Sequence, residues 1–491
     1  MNQFKKYFPF IILLVFLILH LPFLTSDPDP ETEPDMRGAY TDEGLYTSQI
    51  RNLINQGHFG MKENSTFVRG PVFNIVQLPF FFVLGTNLWV SRMVILLLTL
   101  ITIYVFLRDE KLKLFAVFLV LFSYCEYHIF QFSHYGMAEM VCVNFLLLGI
   151  YFLYKCYNDT VQKNKLVKLL IASFFVFLCY ASKIQYLYVV VLLPATSFIM
   201  SVRESIICRK FSFIHYRLFL SASAFGIFFI VIYYLLWFLP NREFYTYIMT
   251  NETNERIPGT IGEIRKVADF NYTHIFWVNN LKIYLIHTYI VIAAVFLFIF
   301  FRNKRNSFFV IAVFAMVWII SELHKVPMKY LPYRYLISML FAGGVFVSAS
   351  YAGFTEYFPK FKKWLFLIAF GFTVYFMIFN FSSFQRRTWE IKAVNNYFAQ
   401  YDLSNEKVIG AWAPSCCWQN NALTMPVWYN YFNWKDPVNV YKPAVIITES
   451  DEKDADYNYK NQNIDLFQIS DSVRQFSIWK YKLNVFWMKN Q

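Results

Sequence analysis

Charged residues are scarce in this chain. Asp, Glu, Lys and Arg make up 16% of its 491 residues, against roughly 25% in ordinary soluble domains. The shortage excludes a soluble globular protein, because 57% of the residues are hydrophobic and 21% aromatic, and the apolar ones stand in long unbroken runs. Cysteine is sparse too, with seven residues at no metal-ligand spacing. Five of them (Cys125, Cys142, Cys156, Cys179 and Cys208) fall in or beside apolar runs, where Cys acts as a small packing residue. Cys416 and Cys417 are adjacent in a polar stretch. An oxidising compartment permits a disulfide there, but adjacency strains its geometry. Internal repeats, nucleotide-binding motifs and basic stripes interleaved with aromatics are all missing. The net charge of +13 therefore implies no nucleic-acid partner. Its Lys and Arg sit in short clusters between apolar runs, where they report topology.

A membrane span needs about 20 apolar residues. Eleven segments qualify: 7–24, 88–107, 112–130, 137–155, 165–181, 184–201, 217–239, 283–301, 308–323, 331–350 and 364–381. The first follows Lys5 and Lys6 and no small-residue cleavage site comes after it, which reads as an uncleaved signal anchor with its N-terminus inside. Residues 71–84 are apolar but short, and Pro71, Asn74, Gln77 and Pro79 interrupt them. If they do not cross, the clusters Lys5/Lys6, Arg108/Lys111/Lys113, Lys155/Lys163/Lys165/Lys168, Arg203/Arg209/Lys210/Arg217, Arg302/Lys304/Arg305 and Lys360/Lys362/Lys363 all lie inside. If they do cross, every cluster but the first lies outside, against the positive-inside rule. The stretch is therefore expected to be an interfacial or re-entrant helix. The long polar segments, 25–87, 240–282 and the tail from 382, then lie outside.

The expected fold is a mainly α membrane protein. A polytopic domain over 1–381 includes an outer loop, 25–87, with interfacial helices. A small exported α/β domain follows over 382–491, with a helix at 388–400 and strands at 407–412, 444–448, 465–469 and 482–487.

The first outer loop contains TDEGLYTSQIRNLINQG. From residue 43, Tyr46, Ile50, Leu53, Ile54 and Gly57 share one helical face and Arg51, Asn52 and Asn55 face away. Thr41 or Asp42 would cap this helix, with Glu43 in its first turn. The pair Asp42 and Glu43 thus reads either as a capping pair or as functional carboxylates at the membrane surface. Ionisable groups near spans are costly and are functional candidates by default. Glu139 opens a span, Lys183 sits in a tight hairpin, and Glu322, His324, Lys325, Lys329 and Arg334 crowd the segment ELHKVPMKYLPYRY. Snorkelling to the interface competes for Lys329, and His324 reads as a polar interfacial residue more readily than as a ligand. Glu126 and His128 lie near the outer end of a span and could share the same cavity. Carboxylates facing cations at the outer ends of spans suit glycosyl transfer from a lipid-linked donor. The cations stabilise the departing phosphate and a carboxylate deprotonates the acceptor.

The ordered set TDEGLYTSQIRNLINQG, RGPVFNIVQLPFF, SHYGMAEM, YASKIQYLYVVVLLP and KYLPYRYLISML resembles the GT-C glycosyltransferases. More narrowly, it resembles the branch holding protein O-mannosyltransferases and the lipid A aminoarabinose transferase, over about residues 1–385. That resemblance implies an inverting transfer of a sugar from a polyprenyl-phosphate donor to an exported lipid, glycan or protein acceptor, in a multi-pass bacterial inner-membrane enzyme that needs no nucleotide sugar; no cofactor and no metal-ligand cluster is expected from the sequence. It implies Asp42 as catalytic carboxylate with Glu43 as its partner. Arg69, Glu139, Lys183, His324, Lys325, Lys329, Arg334 and Tyr335 would contact substrate. The loop RGP departs from the Lys-Pro-Pro often found there, so Arg69 would supply the charge near the donor head group. Two other classes fit less well. A transporter or flippase of lipid-linked sugars would show paired repeats with broken midplane helices, and a non-catalytic assembly protein would make Asp42 and Glu43 dispensable.

Overall fold

The computed structural model describes residues 2–32, 37–61, 63–209, 212–248, 250, 258–273, 306–450 and 456–489. Among these, seven helices are long and apolar enough to cross a membrane: Leu88–Arg108, Ala138–Tyr157, Gln162–Ser182, Ile184–Cys208, Phe213–Phe238, Tyr333–Tyr357 and Pro359–Arg386. Ala138–Tyr157 and Tyr333–Tyr357 are mostly buried inside the bundle, whereas Phe213–Phe238 and Pro359–Arg386 turn most of their side chains outward. Lipid tails are as apolar as Leu, so such outward faces cost nothing in a bilayer.

The remaining expected spans fare differently. The run at 283–301 and the cluster Arg302/Lys304/Arg305 lie outside the described residues. The run at 112–130 is not one helix. It divides into Lys113–Leu119, a π-helical turn Val120–Tyr124 and a separate helix Tyr127–Phe132. The break falls at Glu126, whose carboxylate accepts the Ile129 N–H at 2.9 Å and so caps the second helix. Phe309–Glu322 and the apolar segment Phe10–Phe23 are shorter than the seven. Pro71–Leu84 is a helix of 14 residues, about 21 Å long against a hydrocarbon core of about 30 Å.

Among the described residues the strands are β1 Lys407–Ile409, β2 Leu423–Met425, β3 Val445–Glu449, β4 Ser470–Ile478 and β5 Tyr481–Met488. They form one sheet in the order β2-β1-β3-β5-β4. β1 pairs parallel with β2 and β3, and β5 pairs antiparallel with β3 and β4. The helix Glu390–Phe398 packs its apolar face on the sheet. Residues 465–469 were expected as a strand but make a helical turn, Leu466–Ile469, because the Asp465 side chain caps it by accepting the Phe467 N–H at 3.0 Å. Cys416 and Cys417 are both free and buried, and burial pushes the Cys417 thiol up to about 12.

The sheet is fixed against the helix Gly38–Gln56. Arg51 donates to the carbonyls of Pro414 at 2.7 Å and Cys417 at 3.2 Å. Asn52 closes the edge of β2, donating to the Thr424 carbonyl at 2.9 Å and accepting the Thr424 N–H at 3.2 Å. Gly44 meets the chain at Pro414 and Ser415 so closely that a Cβ would lie 2.5 Å from Ser415 Oγ. The expected face assignment is therefore corrected. Arg51 and Asn52 are buried and Leu53 is exposed, because the polar face docks on the sheet instead of meeting water.

Candidate functional site

The helix carrying Asp42 begins earlier than its capping residues suggest. Its N-cap is Arg37, with no side-chain cap bond, and the first helical residue is Gly38. Gly38 is held there by a close approach, since a Cβ on it would lie 2.1 Å from Nη1 of Arg334. Asp42 consequently stands in the second turn, not at the cap. Its Oδ2 lies 3.1 Å from Nη2 of Arg334. Arg334 Nε is 3.9 Å from Glu139 Oε1, and Lys183 Nζ is 2.6 Å from that same oxygen. Two carboxylates and two cations thus alternate in a chain, Asp42–Arg334–Glu139–Lys183, with Glu139 wholly buried and Lys183 and Arg334 nearly so.

The three partners of Asp42 are each delivered by a helix end. Glu139 is in the first turn of Ala138–Tyr157 and Arg334 in that of Tyr333–Tyr357. Lys183 is the single extended residue between Gln162–Ser182 and the 3-10 segment Ile184–Val191. The ring of Tyr335 lies 4.9 Å from Lys183 Nζ and 5.5 Å from the Arg334 guanidinium carbon, within cation–π range. Tyr46, one turn beyond Asp42 on the same face, accepts from Lys183 Nζ at 3.3 Å. Burial, then the charges of Glu139 and Asp42, hold the Tyr46 hydroxyl well above its ordinary pKa, so it stays neutral. Beside this chain is a cavity of about 50 Å³ lined by Tyr46, Arg69, Phe73, Lys183, Gln185 and Tyr335, among others. A carboxylate next to a cation-lined cavity can accept a proton on one side while an anion is held on the other.

Glu43 has a different environment. It is 2% exposed and forms a two-pronged ion pair with Arg92 at 2.9 and 2.6 Å, and it accepts the Gly136 N–H at 2.5 Å. Arg92, wholly buried, also donates to the Ser26 carbonyl at 2.5 Å. The expectation that Asp42 and Glu43 stand side by side at the membrane surface is therefore corrected for Glu43, which ties its helix to the bundle.

No protein-family model matches the sequence, and no curated protein matches it. Among solved structures, ArnT from Cupriavidus metallidurans bound to undecaprenyl phosphate is similar over 97% of this chain and 96% of its own, with a TM-score of 0.57 at 9% identity. The chain has the GT-C fold. ArnT from the same organism in the apo state aligns at a TM-score of 0.47 and 12% identity, over 96% of this chain and 97% of its own. The archaeal oligosaccharyltransferase AglB from Archaeoglobus fulgidus, in complex with an inhibitory peptide and a dolichol-phosphate, aligns at 0.45 and 12%, over 91% and 70%.

Within this GT-C fold the residues singled out from sequence separate into two groups. Asp42, Glu139, Lys183, Arg334, Tyr335 and Arg69 converge at the charge chain and its cavity. Lys325 lies one layer behind, paired with Glu322 at 2.6 Å and donating to the Tyr335 carbonyl at 2.9 Å and Ser338 Oγ at 2.8 Å. His324 and Lys329 are not brought in. His324 is exposed, its ring 4.9 Å from that of Tyr188. Lys329 pairs with Glu263 at 2.6 Å, which holds the Glu263 carboxyl below the usual range. Glu126 is used as a cap, and His128 stacks on Tyr333 at 4.6 Å. Sequence reasoning missed Tyr46 and Arg92. Arg92 carried a usable signal, an arginine within the apolar run LWVSRMVILLL, whereas Tyr46 carried none beyond its spacing from Asp42.

Proposed function

We propose that this chain is an inverting glycosyltransferase that moves a sugar from a polyprenyl-phosphate donor to an exported lipid, glycan or protein acceptor. The observation that carries the reading is the buried alternation Asp42–Arg334–Glu139–Lys183 beside a cavity that Arg69 also lines. Three buried charges and a fourth, Asp42, partly buried are poor stabilisers, and clusters of this kind are characteristic of functional sites. The solved ArnT structure of the same fold was obtained with undecaprenyl phosphate bound, in keeping with a lipid-phosphate donor.

In the proposed step, Asp42 takes the proton of an acceptor hydroxyl as its oxygen attacks the anomeric carbon. The bond from that carbon to the phosphate oxygen breaks, and the electron pair leaves with polyprenyl phosphate. Lys183 and Arg69 hold the departing phosphate, Arg334 bridges the two sides, and Glu139 orients the cations. Tyr335, with Lys325 behind its carbonyl, fixes the cavity wall. Glu43 is a positioning residue that acts through Arg92. The membrane domain over 1–381 and the α/β domain over 382–491 complete the reading. The outer loop, the site and the C-terminus are exported, as the basic clusters require.

Incubating the purified protein with labelled polyprenyl-phosphate sugars tests the activity. The expected result is transfer from one of them, and no transfer or donor turnover across hexose, pentose and amino-sugar donors would count against it. A reporter fused after residue 491 that is active only in the cytoplasm should stay silent, and a signal from it would overturn the orientation.

A further inference from the structure

The parallel strands end beside the site. Trp412 follows β1 by three residues, Trp428 follows β2 by three, and Glu449 is the last residue of β3. In open sheets built from parallel strands, ligands bind in the crevice outside the carboxyl ends. Here that crevice meets Arg37, the N-cap of the Asp42 helix. Arg37 Nη1 is 3.1 Å from Glu449 Oε2, and its guanidinium carbon is 5.8 Å from the Trp428 ring. The Trp412 indole N–H donates to the same Glu449 oxygen at 2.7 Å. From Trp428 the chain runs on as WYNYFNW, with Trp428 half-buried and Asn430 exposed in a left-handed conformation at φ 60°. The loop is tied to the outer segments by the Tyr247 hydroxyl, which donates to the Tyr431 carbonyl at 2.8 Å.

Resting on the donor site proposed above, we infer that the carboxyl ends of β1–β3, with Arg37 and Trp428, form the acceptor subsite, and that the acceptor is a carbohydrate. Three groups fall in order along one helix. Arg37 lies about 7.5 Å before Asp42 along the axis, and Tyr46, at the cation-lined cavity, about 6 Å after it. A displacement in which attacking hydroxyl and departing phosphate lie on opposite sides of the sugar needs this order. The chemistry of the crevice selects a glycan. The half-buried ring of Trp428 can take the C–H face of a pyranose, while the guanidinium fork of Arg37 beside it exchanges hydrogen bonds with hydroxyls. Addition of an extended peptide to the edge of the sheet beside Asp42 is blocked at Thr424, whose backbone N–H and carbonyl are already taken by Asn52.

Calorimetric titration of the full-length protein in nanodiscs with cellobiose, chitobiose, mannobiose and galactobiose, and with a serine-containing hexapeptide, tests this. At least one disaccharide should bind, Trp428→Ala should weaken it about tenfold or more, and Trp428→Phe should restore most of the affinity. Arg37→Lys, which keeps the charge but loses the fork, should weaken the same disaccharide and serves if Trp428→Ala does not fold. Undecaprenyl phosphate should bind the Trp428 and Arg37 variants as it does the unaltered protein. Lys183→Ala should do the reverse, losing the lipid phosphate and keeping the disaccharide. Absence of disaccharide binding, full affinity in both Trp428→Ala and Arg37→Lys, or Trp428-dependent binding of the hexapeptide alone would overturn the inference. Undiminished lipid-phosphate binding by Lys183→Ala would instead overturn the donor site.

Discussion

Asp42 and Glu43 are neighbours with the same charge, yet the helix turns them about 100° apart into regions with opposite properties. On the Asp42 side, the carboxylate meets Arg334, whose guanidinium is shared with Glu139, and Glu139 in turn meets Lys183 at the cavity. On the Glu43 side, two prongs of a wholly buried Arg92 meet both carboxylate oxygens, and a backbone N–H completes the shell. The first arrangement shares one guanidinium between two carboxylates, and the second closes both oxygens of one carboxylate on a single arginine. A carboxylate closed on both oxygens by one buried arginine serves to position; one in a shared chain of charges that leads through Lys183 to a cavity can serve chemistry.

The contrast is broken most severely at Asp42. Asp42→Asn should insert and melt like the unaltered protein but lose about 10²–10⁴-fold in transfer rate, read with a labelled donor. Glu43→Gln should show the opposite balance. It leaves Arg92 buried without full compensation, which typically costs about 3–5 kcal/mol and lowers the thermal midpoint in detergent, while each folded molecule retains more activity than Asp42→Asn does. If Glu43→Gln melts normally and is the inactive one, the two roles are exchanged.

A finer test separates the two ends of the charge chain. Lys183→Ala removes a charged hydrogen-bond donor worth about 1.5–3 kcal/mol, so the donor KM should rise about ten- to a hundredfold while the acceptor KM moves little. Equal change in both would assign Lys183 to packing. The smallest effect is expected at Lys329, whose pair with Glu263 is exposed. Lys329→Ala should leave donor affinity within about twofold, as exposed pairs contribute little, and a larger loss would bring Lys329 back into the site.

Much of the site was legible because ionisable residues stand out in apolar surroundings. Lys183 at a hairpin, Glu139 at the start of a run and Arg334 beside another could each be marked from composition, and helix ends then bring them together. The start of the Asp42 helix was not legible. Capping preference favoured Thr41 or Asp42, but a close approach between Gly38 and Arg334, distant in sequence, decides where the helix begins. The broken 112–130 run was hidden because hydropathy averages across Glu126. β4 was missed because SDSVRQFSI is an exposed edge strand with no buried face to impose alternation, and β2 because three residues carry too little pattern. The docking of Arg51 and Asn52 was invisible for a simpler reason, since their partners stand 363 to 372 residues away.

That separation bears on how the molecule is made. The helix Gly38–Gln56 emerges early, yet the partner of Arg51 at Pro414 and that of Asn52 at Thr424 are made only 363 and 372 residues later. At roughly 5–20 residues per second, synthesis of the intervening stretch takes on the order of twenty seconds to over a minute. Throughout that interval a polar helix face waits beside a growing bundle. The proposed catalytic helix is thus among the first segments synthesised and among the last to reach its final surroundings. A nascent chain interrupted before the sheet is complete would carry Asp42 without the scaffold that aims it.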